Sequence, residues 1–394
     1  MTDFKVLAMA DLQRIIRGLV LVFVGMALLL NISVSWRAYR NEPLREAASR
    51  SLMAVNSSFF YASGLAEPVP VAALKLAMAA GADPDRALRV EGLALFVLIA
   101  ALTFFVLRSR FGEAAASLAA LFLAANPYMG YYAMQGSSHL YALFFLLLFW
   151  HFFDAPAPRP GSALLAGLCG GLACLCRADA ALVLLIIAGL SWAVRRGDFG
   201  LKSAALSLGL ALALALPYAL YQRAQYGNLL YAQELSLRRW ANIDKYAYGS
   251  WEGAPRGPLG AGAFIFREGA AGAARAAFGG LGRSLAYELP RTLYYKLLLV
   301  LVFLGVYAAF VSKKERLLFF LAAALLPVLP LADIKQVPAT GGIELRYYLW
   351  SLWALCALAG LGFQETLAWV DAGIGKAAVK KSAASGGAGK NKKH

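Results

Sequence analysis

The chain has 394 residues, of which 60% are hydrophobic and 15% charged, with a formal net charge of +16. Its mean hydropathy is +0.61, whereas a soluble domain carries about 25% charged residues, so an ordinary soluble globular fold is excluded. In a soluble protein the basic excess would point to nucleic acid. In a chain this apolar it reads as membrane topology and contact with anionic membrane lipids, with no nucleic-acid partner expected.

The first stretch, KVLAMADLQRIIRG, leads into an apolar run long enough to stay as an anchor rather than a cleaved signal. A crossing helix needs about 20 apolar residues. The expected fold is all-α and polytopic, with about ten transmembrane helices at 18–35, 90–107, 113–132, 140–153, 163–175, 180–194, 203–221, 293–311, 317–331 and 347–363. The fourth, fifth and sixth are short, and the fifth and sixth together also fit a re-entrant pair. With the N-terminus inside, the short inner connections RSRFGE, DAPAPRPGS, RRGDFGLKS and SKKERL all carry Lys or Arg, as the positive-inside rule requires. Two long segments, 36–89 and 222–291, then lie outside. Residues 1–375 are read as one transmembrane domain. Residues 376–394, rich in Lys, Gly, Ser and Ala, are read as a disordered basic cytoplasmic tail.

Cys169, Cys174, Cys176 and Cys356 all lie in apolar runs with no histidine near in sequence. They read as small buried hydrophobes rather than metal ligands or disulfides.

Function in a membrane protein shows where polar residues meet helix mouths. Under this threading they gather on the outer side. The stretch SWRAYRNEPLREAASRSL follows the first helix and carries Glu42 and Glu46, and Glu67 follows in the same loop. In NPYMGYYAMQGSSHLY, Asn126-Pro127 is expected to kink or end the third helix, and His139 begins the fourth. CRAD sets Arg177 and Asp179 between the fifth and sixth, YALYQRAQYGNLLY follows the seventh with Arg223, and ATGGIELRYYLW precedes the tenth with Arg346 and Tyr347. Each has a plainer reading as well. Arg177 and Asp179 also suit a neutralised helix junction, His139 an interfacial hydrogen bond, and the tyrosines an aromatic belt.

The order of these features resembles the GT-C superfamily of glycosyltransferases, which includes protein O-mannosyltransferases and aminoarabinose transferases. GLCGGLACLCRADAALVLL looks like the family's glycine-rich helix running into an Arg-x-acid turn, YQRAQYGNLLY like its Arg…Tyr-Gly segment, and LRYYLW like its late Arg-Tyr element. The resemblance implies a membrane enzyme that takes a sugar from a polyprenyl-phosphate donor and passes it, with inversion, to a lipid, glycan or protein acceptor. It also implies that a carboxylate after the first helix is the base. In NEPLREAASRSL that place holds Asn41 where the family usually has Asp, leaving Glu42 first and Glu46 second. Arg346, Arg223 and Arg177, in that order, are the expected phosphate ligands, because the guanidinium fork suits phosphate. Asp179, Glu67, His139 and Tyr347 complete the expected substrate-binding set. No metal ligand set is recognisable, and a divalent metal stays open. Two rival readings are a flippase of lipid-linked sugars and a non-catalytic relative, the latter motivated by Asn41.

Overall fold

The computed structural model describes residues 2–44, 47–154, 161–194, 200–240, 258–266, 268–311 and 345–387. Among these the chain is helical and has no strand. The helices are α1 (Thr2–Tyr39), α2 (Ala47–Asn56), α3 (Pro68–Ala79), α4 (Pro84–Phe111), α5 (Glu113–Ala125), α6 (Pro127–Met134), α7 (Ser138–Phe153) and α8 (Ser162–Cys176). They continue as α9 (Ala180–Val194), α10 (Leu201–Tyr226), α11 (Tyr231–Trp240), α12 (Ala261–Ile265), α13 (Gly269–Arg283), α14 (Leu289–Thr292), α15 (Leu298–Val311) and α16 (Leu349–Gly387). The expected segments fall on these helices, apart from 317–331, which lies outside the described residues.

Among the described residues, three helices are long and apolar enough to cross a membrane: Gly18–Tyr39 within α1, Pro84–Phe111 and Leu201–Tyr226. The pair α6 and α7, bent by 116°, makes a fourth if taken as one span. The count of about ten is therefore not reached on length and apolarity among the described residues. At 1.5 Å per residue, the 13 to 15 residues of α5, α8, α9 and α15 extend only about 20–22 Å, short of a hydrocarbon core of about 30 Å. Two expected segments also break. The run 113–132 divides at Asn126, as the Asn-Pro step anticipates. The helix expected from 293 begins only at Leu298, because Tyr294 takes a left-handed backbone with φ 61°.

The break at Asn126 is tied down on every side. Its Oδ1 accepts from the Tyr128 amide at 3.0 Å, capping α6, while Pro127 takes the position that needs no amide donor. Its Nδ2 donates to the Thr292 carbonyl at 2.9 Å. From α1, the Asn31 side chain donates to the carbonyls of Ala124 and Asn126, both at 2.8 Å. Carbonyls freed by ending a helix in apolar surroundings need such donors, since lipid supplies none.

The core is built around α16, whose residues Leu349 through Gly362 are all buried, and which packs on α5 and α15. Trp353 lies edge-on to Trp150 of α7 at 5.5 Å and donates Nε1–H to Thr103 of α4 at 2.9 Å. At the far end Arg110 lies over the Trp150 ring at 3.6 Å and donates to the carbonyls of Trp150 and Asp154. Cys169, Cys176 and Cys356 are buried, Cys174 is half-buried, and all four are free. Outward, Leu29 is 69% exposed, Phe303 69% and Leu297 80%, the pattern of helix faces that meet lipid rather than water.

Helices packed inside a membrane rely on close approach over small residues. At the crossing of α15 and α16, a Cβ on Gly305 would collide with the Leu358 carbonyl and one on Gly362 with the Leu301 carbonyl. Gly305→Leu and Gly362→Leu are each expected to cost about 1–3 kcal/mol through overpacking. Gly279→Ala, in open space on α13, should leave stability unchanged or slightly raised. Thermal unfolding followed by tryptophan fluorescence in detergent micelles checks the contrast.

Candidate functional site

The site grows from one turn. Helix α6 ends at Met134 and α7 starts at Ser138, and between them run Gln135, Gly136 and Ser137. Gly136 has φ +59°, and a Cβ there would stand 3.0 Å from the Leu88 Cβ, so both backbone and space call for glycine. Each residue of the turn carries a contact. Gln135 donates Nε2–H to the Glu42 carboxylate at 3.0 Å. The Gly136 carbonyl accepts from Arg50 at 2.7 Å. Ser137 caps α7 and its hydroxyl lies 3.1 Å from His139 Nδ1. The Ser138 hydroxyl accepts from Arg177 at 3.4 Å.

Arg177 reaches this turn from the end of α8. The glycines of that helix permit its close packing on α10, since a Cβ on Gly167 or Gly171 would press on Leu210 or Leu214. Past Cys176 the backbone becomes extended, with Arg177 at φ −161° and ψ 128°. Its guanidinium then grips Asp179 with two nitrogens, Nε and Nη2, each at 2.9 Å. Glu67, at the start of α3, stands 4.0 Å away. Burial disfavours the charge on Arg177, but Asp179, then Glu67 and Tyr347, more than offset it and raise its pKa further.

Tyr347, in the 3-10 turn Leu345–Tyr348 that leads into α16, joins the cluster. The Arg177 guanidinium carbon is 5.7 Å and that of Arg346 5.3 Å from its ring centre, and the His139 ring meets it edge-on at 5.0 Å. Two cations thus share one aromatic ring. Arg177, Asp179, Glu67, His139, Arg346 and Tyr347 are brought together. Glu42 is exposed, and connects to them through the Gln135–His139 turn.

Two expected residues remain. Glu46 lies outside the described residues. Arg223 is in the last turn of α10, lining a groove of about 580 Å3, and among the described residues no hydrogen bond or ion pair joins it to the Arg177 cluster. Among the described residues there is also no grouping of three His, Cys, Asp or Glu side chains fit for a metal ion.

Four further residues frame the turn and were not singled out from the sequence. Buried Arg89 donates to the carbonyls of Tyr39 at 2.9 Å, Met134 at 3.1 Å and Glu42 at 2.5 Å, fixing the chain where it leaves α1. Glu91 accepts from the Tyr141 hydroxyl, and Arg50 lies within electrostatic reach of both. A signal existed for one of them: Glu91 is the single acid in the apolar run 90–107.

Residues 66–221 match the family model of dolichyl-phosphate-mannose-protein mannosyltransferases, a family of the GT-C superfamily. No curated protein matches the chain. The matched region takes in Glu67, His139, Arg177 and Asp179, and ends before Arg223 and Arg346. Through these residues, set in apolar helices, the matched region is similar to the GT-C superfamily of membrane glycosyltransferases.

Proposed function

We propose that the protein moves a sugar from a polyprenyl-phosphate carrier to an acceptor hydroxyl on the outer, periplasmic face of a bacterial inner membrane. The observation that carries this reading is the convergence of Arg177, Arg346 and His139 on Tyr347 beside Glu67 and Asp179. Cations from two chain segments, one after α8 and one before α16, meet at one end of the bundle. Such a place suits a phosphate whose lipid tail runs alongside in the membrane.

In this reading the acceptor hydroxyl gives its proton to the Glu42 carboxylate as its oxygen bonds to the anomeric carbon. The bond from that carbon to the phosphate oxygen breaks on the opposite side. Polyprenyl phosphate leaves with the electron pair, and its charge is met by Arg346 and Arg177. One displacement inverts the anomeric centre. The Gln135 hydrogen bond and the grip of Arg89 on the Glu42 carbonyl support a fixed place for that carboxylate. Glu46 is the second candidate. Asp179 and Glu67 orient Arg177, and Arg346 is the leading phosphate ligand.

Ten crossings, with both termini cytoplasmic and the lysine-rich 376–394 as the inner tail, accord with Lys or Arg in every expected inner connection. The shorter helices then cross only with their flanking residues or where the bilayer thins.

Glu42→Gln and Arg346→Ala should each lower transfer by about 10²-fold or more, the scale of a lost base or charge-stabilising donor, with thermal unfolding unchanged. Arg346→Lys should recover only part, because an ammonium lacks the fork. Radiolabelled polyprenyl-phosphate sugars and purified full-length protein give the measurement. Asn41→Asp addresses the non-catalytic alternative. An enzyme with its own base at Glu42 should change less than a few-fold, whereas appearance of activity only in that variant would sink the assignment of Glu42.

A further inference from the structure

The groove at the end of α10 is the feature the transfer site leaves unused. Gly227 ends that helix with φ +82°, a left-handed turn that sends the chain back along itself. Tyr231, opening α11, therefore stacks on Tyr226 at 4.9 Å with the rings only 9° from parallel. The Gln222 side chain accepts from the Ala232 amide at 2.9 Å and holds the fold-back in place. The resulting groove, of about 580 Å3, lies in the size range of small-molecule sites.

The charges within it are unequal. Glu234 accepts from Asn228 at 2.5 Å and from the Leu259 amide at 3.4 Å, and it stands 4.0 Å from Arg238. Its carboxylate is thus committed. Arg223, exposed at the rim, makes no side-chain hydrogen bond or ion pair among the described residues. A stacked tyrosine pair beside an uncompensated guanidinium offers a flat apolar face next to a fork of donors. A sugar ring turns its C–H face to aromatic rings, and a phosphate or carboxylate on that sugar would meet the fork.

The groove is also coupled to the transfer site. On the same helix, the Tyr218 hydroxyl donates to the carbonyls of Gly64 at 3.2 Å and Ala66 at 3.1 Å, immediately before Glu67. Glu67 faces Arg177.

We propose that this groove is the acceptor subsite and that it takes an anionic saccharide. The proposal rests on the transferase reading, since only a transferase needs an acceptor. It is tested without any lipid-linked donor, so its failure is distinct from failure of that reading. Full-length protein in detergent micelles is examined by saturation-transfer NMR with glucose 1-phosphate, glucose, inorganic phosphate and glycerol 1-phosphate as probes.

Glucose 1-phosphate should give a saturable signal on its ring protons. Arg223→Ala and Tyr226→Ala should each weaken it by tenfold or more, Arg223→Lys should retain only part of it because an ammonium lacks the fork, and Tyr226→Phe should retain most of it. Thermal unfolding checks that each variant is folded. No binding by the unaltered protein, equal binding of glucose, or undiminished binding by folded Arg223→Ala would overturn the proposal. Displacement by inorganic phosphate at equal concentration would mark a plain anion site, and displacement by glycerol 1-phosphate a phospholipid-headgroup site. Either would equally overturn it.

Discussion

A buried or half-buried charge in a membrane protein persists only where other groups meet it, because the surrounding lipid cannot. In this chain the five-residue turn Gln135–His139 is where that requirement is satisfied for several charges at one end of the bundle. Its side chains and one carbonyl receive Glu42, Arg50 and Arg177, and its last residue packs against Tyr347. The turn exists because α5 is stopped at Asn126 and α6 is too short to continue as a span. Without the Asn126 break, the chain would carry Gln135 and His139 through the bilayer as ordinary helix residues. The two asparagines that secure the break, Asn31 and Asn126, thereby support a site that neither of them touches.

The compensation around Arg177 also divides the work of the two cations. Held by both nitrogens on Asp179 and faced by Glu67, Arg177 is an anchored charge whose position is fixed more than its field is free. Arg346, carried on a 3-10 turn against the same tyrosine, comes from a segment that the family match does not cover. Two cations on one aromatic ring suit a leaving phosphate whose charge develops as the bond to the sugar breaks. The phosphate site, if so used, is completed only when the last core helix is in place.

Much of this was legible in the sequence, for physical reasons. Apolar runs announce helices because nothing else satisfies the backbone in lipid, and Asn126-Pro127 announced its own break. Arg177, Asp179, His139 and Tyr347 stood out because charged and aromatic residues at helix mouths need a reason to be there. Other features did not show. The short runs of α8 and α9 were visible, but run length did not reveal that α5 and α15 are only 13 and 14 residues long, nor that Tyr294 delays α15 by a turn. Arg50 and Arg89 looked like loop charges, yet both are buried and bind backbone carbonyls, a role that depends on tertiary neighbours and leaves no local pattern. Arg223 reads like Arg177 along the chain, but the left-handed turn at Gly227 gives it different company.

The central claim is that the sugar leaves its lipid carrier at this outer cluster. The most direct measurement follows a radiolabelled polyprenyl-phosphate sugar in proteoliposomes containing the full-length protein, with lipid carrier and sugar separated at each time point. The account predicts that label passes from the carrier to an acceptor supplied on the outer side, with polyprenyl phosphate released in equal amount. Label that crosses the bilayer while still attached to its carrier, with no polyprenyl phosphate released, would contradict it and identify a flippase instead.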